Sequence, residues 1–290
     1  MSKIKPPPQP NFQDEYFLNL NSILVPIEGK EFEALGLEIA FFVAHEYGAK
    51  INLLHVGKKI DPAIDKYLSR LSKYEIDHNF ELIDNFNVAK TIVNYWKKYK
   101  HELVILSAKR KPTLFDKIFT KSVSNTVIPL IDTEILQVYP PKLKKLKNRV
   151  KEIAVLLPYS ERDPFLLRWA SAIAAPQRGA KIKVYHIAEV PATVPLEGAK
   201  DEYEIKKEEK LFKNYVKKYA EIFGQIIRPT FIIGHDVVSS LEFIFGQHEP
   251  DLVLIGHTKV QKWYEKFRKP LSYKIRDHLT ETGVAIHHMM

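Results

Sequence analysis

Short apolar segments alternate with longer amphipathic segments along the whole chain. In the first half, five apolar runs have the length of strands that are buried on both faces of a parallel sheet: ILVPI, INLLHV, FELI, ELVILS and EILQVY. Between these runs apolar residues recur at helical spacing, as in the stripe formed by Phe32, Leu35, Ile39, Phe42 and Val43. Alternating strand and helix patterns predict a doubly wound parallel α/β sheet with right-handed crossovers.

The second half of the chain repeats the pattern of the first. ILVPIEG and GAKINLLHV are answered by AVLLPYS and GAKIKVYHI, which matches Pro26 with Pro158 and His55 with His186. Further on, FNVAKTIVNYWKKYKHELVILS is answered by HDVVSSLEFIFGQHEPDLVLIG. The difference in residue number between matched positions grows from 131 at His55 and His186 to 149 at Glu102 and Asp251. The second half therefore carries 18 additional residues between these points. A repeat of this length indicates duplicated domains rather than a solenoid.

Proline and lysine clusters mark the domain boundaries. The PPPQP start predicts a flexible N-terminal tail over residues 1–18, and the lysine-rich run that follows YPP predicts a linker at 142–149. The predicted domains are therefore 19–141 and 150–290. The additional residues of the second domain are placed at 189–224, a loop followed by a charged helix.

Composition narrows the chemistry and the location. The chain has 290 residues and no cysteine, which excludes disulfides, thiolate catalysis and cysteine-ligated zinc. No apolar run approaches the length of a membrane span, and the first residues lack the apolar core of a signal peptide, so we expect a cytoplasmic protein without a membrane partner. The net charge of +9 is compatible with a polyanionic partner, but the interleaved acids favour a solvated lysine-rich surface.

Two similar basic loops are the candidate ligand sites. Sheets of this class bind ligands at the carboxyl ends of their strands, which here are followed by the loops after ILVPI and ELVILS and by their second-half equivalents. The segments ELVILSAKRKPTLFDKIFTKS and DLVLIGHTKVQKWYEKFRKPLS both begin with an acid and an apolar run, enter a basic loop and end at a serine.

The order of strand, proline, acid and glycine, followed by GAKINLLHV and ELVILS, resembles the universal stress protein family in two tandem copies. The resemblance implies two tandem Rossmann-like domains of the adenine nucleotide alpha hydrolase-like type, each a five-stranded parallel sheet flanked by helices. It implies pairing through the last strands, so that EILQVYP and VAIHHMM would join the two copies as an internal pseudo-dimer. Some members of the family bind ATP or AMP without conserved catalytic residues, and others bind no nucleotide.

Family members that bind nucleotides carry Gly-x-x-Gly and a later Gly-Ser/Thr after the fourth strand, and an aspartate at the end of the first. Both copies depart from this pattern. Ser107, Arg110 and Lys121 stand where glycines are expected in the first copy, whereas the second retains Gly256. The candidate binding residues are Glu28, Ser107, Lys109, Arg110, Lys121 and Ser122 in the first copy, and Ser160 (in the place of Glu28), Gly256, His257, Thr258 and Ser272 in the second.

Loss of these glycines weakens a phosphate site, because a Cβ blocks the approach of backbone N–H groups and a left-handed side chain costs roughly 1–2 kcal/mol. We therefore expect a non-catalytic, stress-related or regulatory association module with degenerate nucleotide-binding loops and no resident cofactor. An unknown protein partner would bind through 189–224. The alternative is a regulator that binds ATP or AMP with the lysines and arginine of the first loop as phosphate ligands.

A further alternative is a basic protein that associates with nucleic acid, although nucleic acid is not the expected partner. It depends on Trp263, Tyr264 and Phe267, which interleave with lysine and arginine. No metal site is expected, since His287 and His288 are neighbours on a strand and point to opposite faces. No residue is predicted to be catalytic, because the chain has neither a nucleophile elbow nor a base at a recognisable spacing from a nucleophile.

Overall fold

The computed structural model describes residues 20–58, 61–110, 123–142, 150–160, 162–257 and 270–289. Their contacts divide the chain into two compact units. The N-terminal unit comprises the described residues of Leu18–Arg149 together with those of Gly283–Met290, and the C-terminal unit comprises those of Val150–Thr282. The predicted tail and nearly all of the predicted linker lie outside the described residues.

The N-terminal unit is a sheet flanked by helices. Its strands are β1 (Ser22–Pro26), β2 (Lys50–Val56), β3 (His78–Ile83), β4 (Leu103–Ser107), β5 (Glu134–Tyr139) and β10 (Gly283–His288). Its helices are α1 (Ala34–Tyr47), α2 (Ala63–Lys73), α3 (Val88–Tyr99) and α4 (Val123–Val127), with 3-10 turns at Glu31–Glu33 and Ile128–Leu130. The strand order is β3-β2-β1-β4-β5-β10, and the first five strands are parallel. The order reverses between β1 and β4, which is where sheets of this class bind ligands.

β10 comes from the end of the chain and runs antiparallel to β5. Val284 lies opposite Tyr139 and His288 opposite Ile135. The repeat pattern assigns this last strand to the second domain, whereas its contacts group it with the N-terminal unit. The two segments expected to pair are hydrogen-bonded to each other, and the pseudo-dimer of whole domains stays a prediction. His287 Nε2 lies 3.0 Å from Glu134 Oε2, and His288 Nε2 lies 3.1 Å from Gln137 Oε1, so the two imidazoles have different partners.

The C-terminal unit repeats the same order with four strands. Its strands are β6 (Glu152–Leu156), β7 (Lys181–Glu189), β8 (Ile227–Gly234) and β9 (Leu252–Gly256). Its helices are α5 (Asp163–Ala174), α6 (Leu196–Ala199), α7 (Tyr203–Phe223), α8 (Val237–Gln247) and α9 (Leu271–His278). Within this unit the parallel strands are ordered β9-β6-β7-β8, which matches β4-β1-β2-β3 of the N-terminal unit.

The 189–224 segment forms α6 and α7, the crossover between β7 and β8. In the N-terminal unit α2 lies at the same topological position, between β2 and β3. The additional residues therefore lengthen a crossover that both halves possess. α7 packs on β7, β8 and α5 and buries Phe212, Val216 and Tyr219, so its apolar stripe is used inside the unit. None of the described helices has both the length and the apolar character that a membrane crossing requires.

Candidate functional site

The loop after β1 is fixed by hydrogen bonds to the end of β2. Ile27 N donates to Leu54 O at 2.9 Å, which continues the parallel ladder one residue beyond β1. His55 Nδ1 lies 2.9 Å from Ile27 O, and the imidazole is buried. His55 therefore holds the loop against the sheet through the backbone, which is a structural role.

The loop after β6 has the same geometry, and this corrects the sequence alignment. Leu157 N donates to Tyr185 O at 3.0 Å, and His186 Nδ1 lies 2.8 Å from Leu157 O. Leu157 is thus the counterpart of Ile27, and Pro158, not Ser160, stands at the place of Glu28. The shared proline of the two loops led to this error, because the match of Pro26 with Pro158 is two residues out of register.

A buried carboxylate closes the loop after β1. Glu33 accepts hydrogen bonds from the backbone N–H groups of Glu28, Gly29 and Lys30 at 2.7, 2.8 and 2.9 Å. Burial raises the pKa of Glu33, and the bonds from Glu28 and Lys30 oppose that rise. Gly29 has φ +84°, and a Cβ at this position would overlap Asp61 Cβ, so the turn requires glycine. Three N–H groups that could have faced an anion are thus taken by the protein's own carboxylate.

Asp163 performs the same task in the C-terminal unit. It accepts from Ser160 N at 3.1 Å and Ser160 Oγ at 2.8 Å, and its Oδ2 has no hydrogen-bond partner among the described residues. Complete burial raises its pKa from 3.8 to about 7. Tyr159 adopts φ +58° at the place of Gly29. α5 begins at Asp163, whose carboxyl group binds the preceding loop.

A cleft of about 270 Å³ lies in the N-terminal unit at the carboxyl ends of β1 and β4. Among the described residues, nine apolar and four polar ones line it. The apolar lining residues are Pro26, Ile27, Phe32, Leu54, Val56, Val88, Ile92, Leu106 and Val123, and the polar ones are Glu28, Glu33, Ser107 and Ser124. Two of the predicted binding residues, Glu28 and Ser107, are therefore brought together at one cleft.

Comparison with known proteins gives the fold. No protein-family model and no curated protein matches this chain. Among solved structures, a universal stress protein from Archaeoglobus fulgidus is similar with a TM-score of 0.55 and 14% identity, over 92% of this chain and 96% of that one. The chain has the universal stress protein fold.

Two further solved structures share this fold. A functionally unknown protein from Pseudomonas aeruginosa matches with a TM-score of 0.60 and 14% identity, over 92% of each chain. The cytoplasmic domain of a prokaryotic cation chloride cotransporter matches with a TM-score of 0.62 and 9% identity, over 93% of this chain and 95% of that one. The predicted fold class is confirmed, and identities this low carry the fold alone.

On the universal stress protein fold, Lys109 and Arg110, the predicted phosphate ligands of the first loop that the structure describes, do not line the cleft. Lys109 Nζ lies 5.4 Å from the centroid of the Phe32 ring. Arg110 is buried, and its Nε donates to Pro140 O at 2.6 Å. Both cations line a separate space of about 250 Å³ with Phe32, Pro140, Pro141 and Lys142, which we call the basic pocket. Lys121 and Ser122 lie outside the described residues.

The position of the first signature glycine shows a compensating exchange between the units. In the N-terminal unit Ser107 packs on Gly36 of α1, where a Cβ would overlap Ser107 Oγ. In the C-terminal unit the glycine lies on the strand and the larger residue on the helix, because Gly256 takes the place of Ser107 and Leu166 takes the place of Gly36. Leu166 Cδ1 lies 3.7 Å from the position that a Cβ on Gly256 would occupy. Gly36 follows Glu33 by three residues, as Leu166 follows Asp163. Ser107 is therefore accommodated by packing on α1.

This exchange gives a testable coupling. Gly36→Ala is expected to destabilise the protein by about 1 kcal/mol, because the overlap with Ser107 Oγ outweighs the better helix propensity of alanine. In a Ser107→Gly background the same change is expected to stabilise by about 0.5–1 kcal/mol. Urea unfolding of the four proteins of the cycle measures the coupling, and additive effects would contradict the packing described.

The equivalent place in the C-terminal unit carries an aromatic residue on its second strand. Tyr185 stands at the strand position of Leu54 and packs edge-on against Phe245, with ring centroids 5.3 Å apart. His257 Nδ1 lies 3.2 Å from Ser272 Oγ, so these two candidate residues bind each other. Thr258 lies outside the described residues.

A second cluster lies beneath α7 in the C-terminal unit. Tyr159 stacks on His186 with centroids 4.1 Å apart, and burial raises the pKa of Tyr159. His186 Nε2 lies 2.9 Å from Glu208 Oε1, an ion pair when the imidazole is protonated. The cluster ties α7 to the loop after β6. The roles of Glu33 and Glu208 are not evident from the sequence pattern, because their partners are backbone groups or distant residues.

Proposed function

We propose that this protein is a non-catalytic, regulatory association module, built from two copies of the universal stress protein fold with degenerate nucleotide-binding loops. The observation that carries the proposal is that the groups expected to bind phosphate at the N-terminal cleft already have partners within the protein. Glu33 takes three backbone N–H groups of its loop, and Lys109 and Arg110 are held at Phe32 and Pro140. A phosphate group would have to displace these contacts.

The absence of catalysis is supported by how the reactive groups are used. Ser160 Oγ donates to Asp163 Oδ1 at 2.8 Å, so its closest partner is a loop-closing acid. His55 Nδ1 is bound to the Ile27 carbonyl. Ser160 Oγ thus binds a carboxylate that closes its own loop, and His55 Nδ1 binds a backbone carbonyl, so these two groups have structural partners.

The outward face of α7 is the proposed surface for a protein partner. Its exposed lysines include Lys207, Lys210 and Lys218, and nearby Lys213 and Lys217 pair with Glu209 and Glu221 at 2.6 and 3.9 Å. Since the apolar stripe of α7 is buried in its own unit, a partner would meet a charged surface. Electrostatic complementarity at such a surface sets specificity and association rate more than raw affinity.

A second candidate function is small-molecule binding in the N-terminal cleft. The observation that favours it is the space of about 270 Å³ at the point where the strand order reverses, lined by Glu28 and Ser107. The family resemblance suggests ATP or AMP as the ligand. The segment proposed for nucleic acid, residues 258–269, lies outside the described residues. That alternative and the cytoplasmic location both stay predictions.

Two readouts on one set of purified proteins test the association proposal. Hydrolysis of MgATP by the wild-type chain is expected to stay at the rate of the uncatalysed control. Protein partners captured by the wild type are expected to be lost by the double variant Lys207→Glu, Lys210→Glu on α7. The matched variant Lys90→Glu, Lys97→Glu on α3 should retain them, since all four lysines are exposed. Turnover of MgATP, or capture that is insensitive to the α7 charges, would contradict the proposal.

A further inference from the structure

We propose that one proton, shared by His186 and Glu208, controls the docking of the first part of α7, residues 203–210. The pair holds this proton while the helix is docked, so docking is firm at low pH and loosened at higher pH. The consequence for a partner, which would meet Lys207 and Lys210 on this part of the helix, rests on the proposed function of α7. The proton-dependent contact itself does not.

Both ring nitrogens of His186 face oxygen atoms. Nδ1 lies 2.8 Å from Leu157 O, a backbone carbonyl that can only accept, so Nδ1 carries a proton. Nε2 lies 2.9 Å from Glu208 Oε1, and an ionised carboxylate also can only accept. A neutral imidazole and an ionised carboxylate together lack the donor for this second bond. The contact therefore requires one further proton, which belongs to the pair and not to either side chain alone.

The pair is largely withdrawn from water. The side chains of His186 and Glu208 are 8% and 14% exposed. The ring of His186 stacks on Tyr159, and its centroid lies 5.5 and 5.6 Å from those of Phe212 and Phe231. When the shared proton leaves, the Nε2 lone pair and the carboxylate oppose each other in an apolar setting that screens them poorly. Movement of Glu208 away from the ring relieves this repulsion.

The first part of α7 and the α6 turn before it have few buried side chains to hold them. Among residues 191–210, all of which are described, only Ala199 and Ile205 are buried. The remainder of α7, residues 211–223, buries Phe212, Tyr215, Val216 and Tyr219. A segment with few buried apolar contacts opens locally at a small cost in free energy.

Glu208 also makes the hydrogen bonds that tie this segment to the rest of its unit. Among the described residues, the bonds that leave 191–210 for elements other than α6 and α7 are those of Glu208. Its Oε1 binds His186, and its backbone carbonyl lies 3.4 Å from Tyr159 Oη, the donor. Loss of the His186 contact therefore removes a main attachment of the segment.

Two other titratable groups act on His186. Asp163 on α5 interacts with it electrostatically, and burial raises the pKa of this carboxyl group to about 7. As Asp163 ionises, its negative charge favours the protonated ring, which shifts the release of α7 to higher pH. Tyr159 stays uncharged, because burial raises the pKa of its phenol group.

The N-terminal unit has the histidine without the acid. His55 Nδ1 lies 2.9 Å from Ile27 O, but among the described residues no carboxylate is hydrogen-bonded to its Nε2. Glu208 lies in the segment that lengthens the crossover of the C-terminal unit. The additional segment therefore supplies the group that makes its own docking dependent on a proton.

Hydrogen exchange of the full chain at pH 6 and pH 8.5, read by mass spectrometry and corrected for the intrinsic exchange rate, measures this docking. In the wild type we expect peptides that cover 196–208 to lose at least about tenfold protection at pH 8.5, whereas peptides within 211–223 change by less than about threefold. Glu208→Gln should abolish the difference, because its amide group can donate to a neutral Nε2 at both pH values. Glu209→Gln is the matched control, one residue away and paired with Lys213, and should keep the wild-type response.

Equal protection of 196–208 at the two pH values in the wild type would overturn the inference, and this comparison needs no variant. A pH response that survives in Glu208→Gln, or one that disappears in Glu209→Gln, would overturn it as well. No partner is present in this measurement, so its failure leaves the association proposal standing. Capture of partners that is insensitive to the α7 charges would contradict the association proposal and leave the proton-dependent contact intact.

Discussion

Asp163→Asn is expected to stabilise the protein by on the order of 2–4 kcal/mol at pH 8 and to have little effect near pH 4. Asp163 is fully buried, and burial raises its pKa from 3.8 to about 7. Asparagine keeps an oxygen that can accept the hydrogen bonds from Ser160 N and Oγ. It removes the buried negative charge, whose second oxygen, Oδ2, has no hydrogen-bond partner among the described residues.

The sign of this effect follows from the two protonation states. Between pH 4 and 7 the unfolded chain has lost the Asp163 proton while the folded protein retains it, since the pKa of Asp163 is raised to about 7 on folding. The free energy of unfolding therefore falls as the pH rises through this window, and it levels off above the folded pKa. Asp163→Asn should remove that part of the slope.

Urea unfolding of wild type and Asp163→Asn at pH 4, 6 and 8 measures the effect. Asp163→Ala serves as the control, because it removes the charge together with the hydrogen bonds to Ser160. It should therefore recover less stability than asparagine at pH 8. A constant difference between wild type and Asp163→Asn at all three pH values would contradict the raised pKa of Asp163.

Glu33→Ala is expected to destabilise the protein by about 2–4 kcal/mol, because three backbone N–H groups of one turn lose their acceptor together. The loop they belong to also forms one wall of the N-terminal cleft, through Ile27 and Glu28. Amide hydrogen exchange should therefore show faster exchange at Glu28, Gly29 and Lys30 in the variant, in addition to a lower urea midpoint.

Two comparison variants make this result specific. Glu33→Gln keeps one acceptor oxygen but directs an NH₂ group at the loop, so its loss should be intermediate between wild type and alanine. Glu31→Ala lies on the same 3-10 turn with its side chain exposed and should change the free energy of unfolding by less than about 0.5 kcal/mol. A loss no larger in Glu33→Ala than in Glu31→Ala would refute the proposed role of Glu33.

Periodicity and internal repetition sufficed to predict the fold. The five apolar runs of the first half became β1 to β5, and the repeated histidines proved equivalent, since His55 and His186 bind matching carbonyl groups. Parallel strands that are buried on both faces consist of almost uninterrupted apolar residues, and such runs can be recognised directly in the sequence.

The details of the site could not be predicted as well from the sequence, because they depend on hydrogen bonds between side chains and the backbone. Identity of the two prolines misaligned the loops, whereas the conformations align Gly29 with Tyr159. In both copies an acid follows this left-handed residue by four positions, Glu33 in one and Asp163 in the other. That spacing is visible in the sequence and would have identified both loop-closing residues.

The contents of the cleft required the tertiary structure. Counting charges in the first loop suggests a phosphate site, but the pattern cannot show that Lys109 packs on Phe32 and that Arg110 binds Pro140 O. Nor does it show that Gly36 makes room for Ser107. The predictions for Lys121, Ser122 and Thr258 concern residues outside the described part of the chain and stay predictions.

Calorimetric titration of the wild-type chain with MgATP near pH 7.5 tests most directly whether the two copies have lost their affinity for nucleotide phosphates. With the loop N–H groups bound to Glu33 and the described cations held outside the cleft, we expect no binding tighter than about 1 mM, equivalent to roughly −4 kcal/mol. A dissociation constant in the low micromolar range, at one or two sites per chain, would contradict the account.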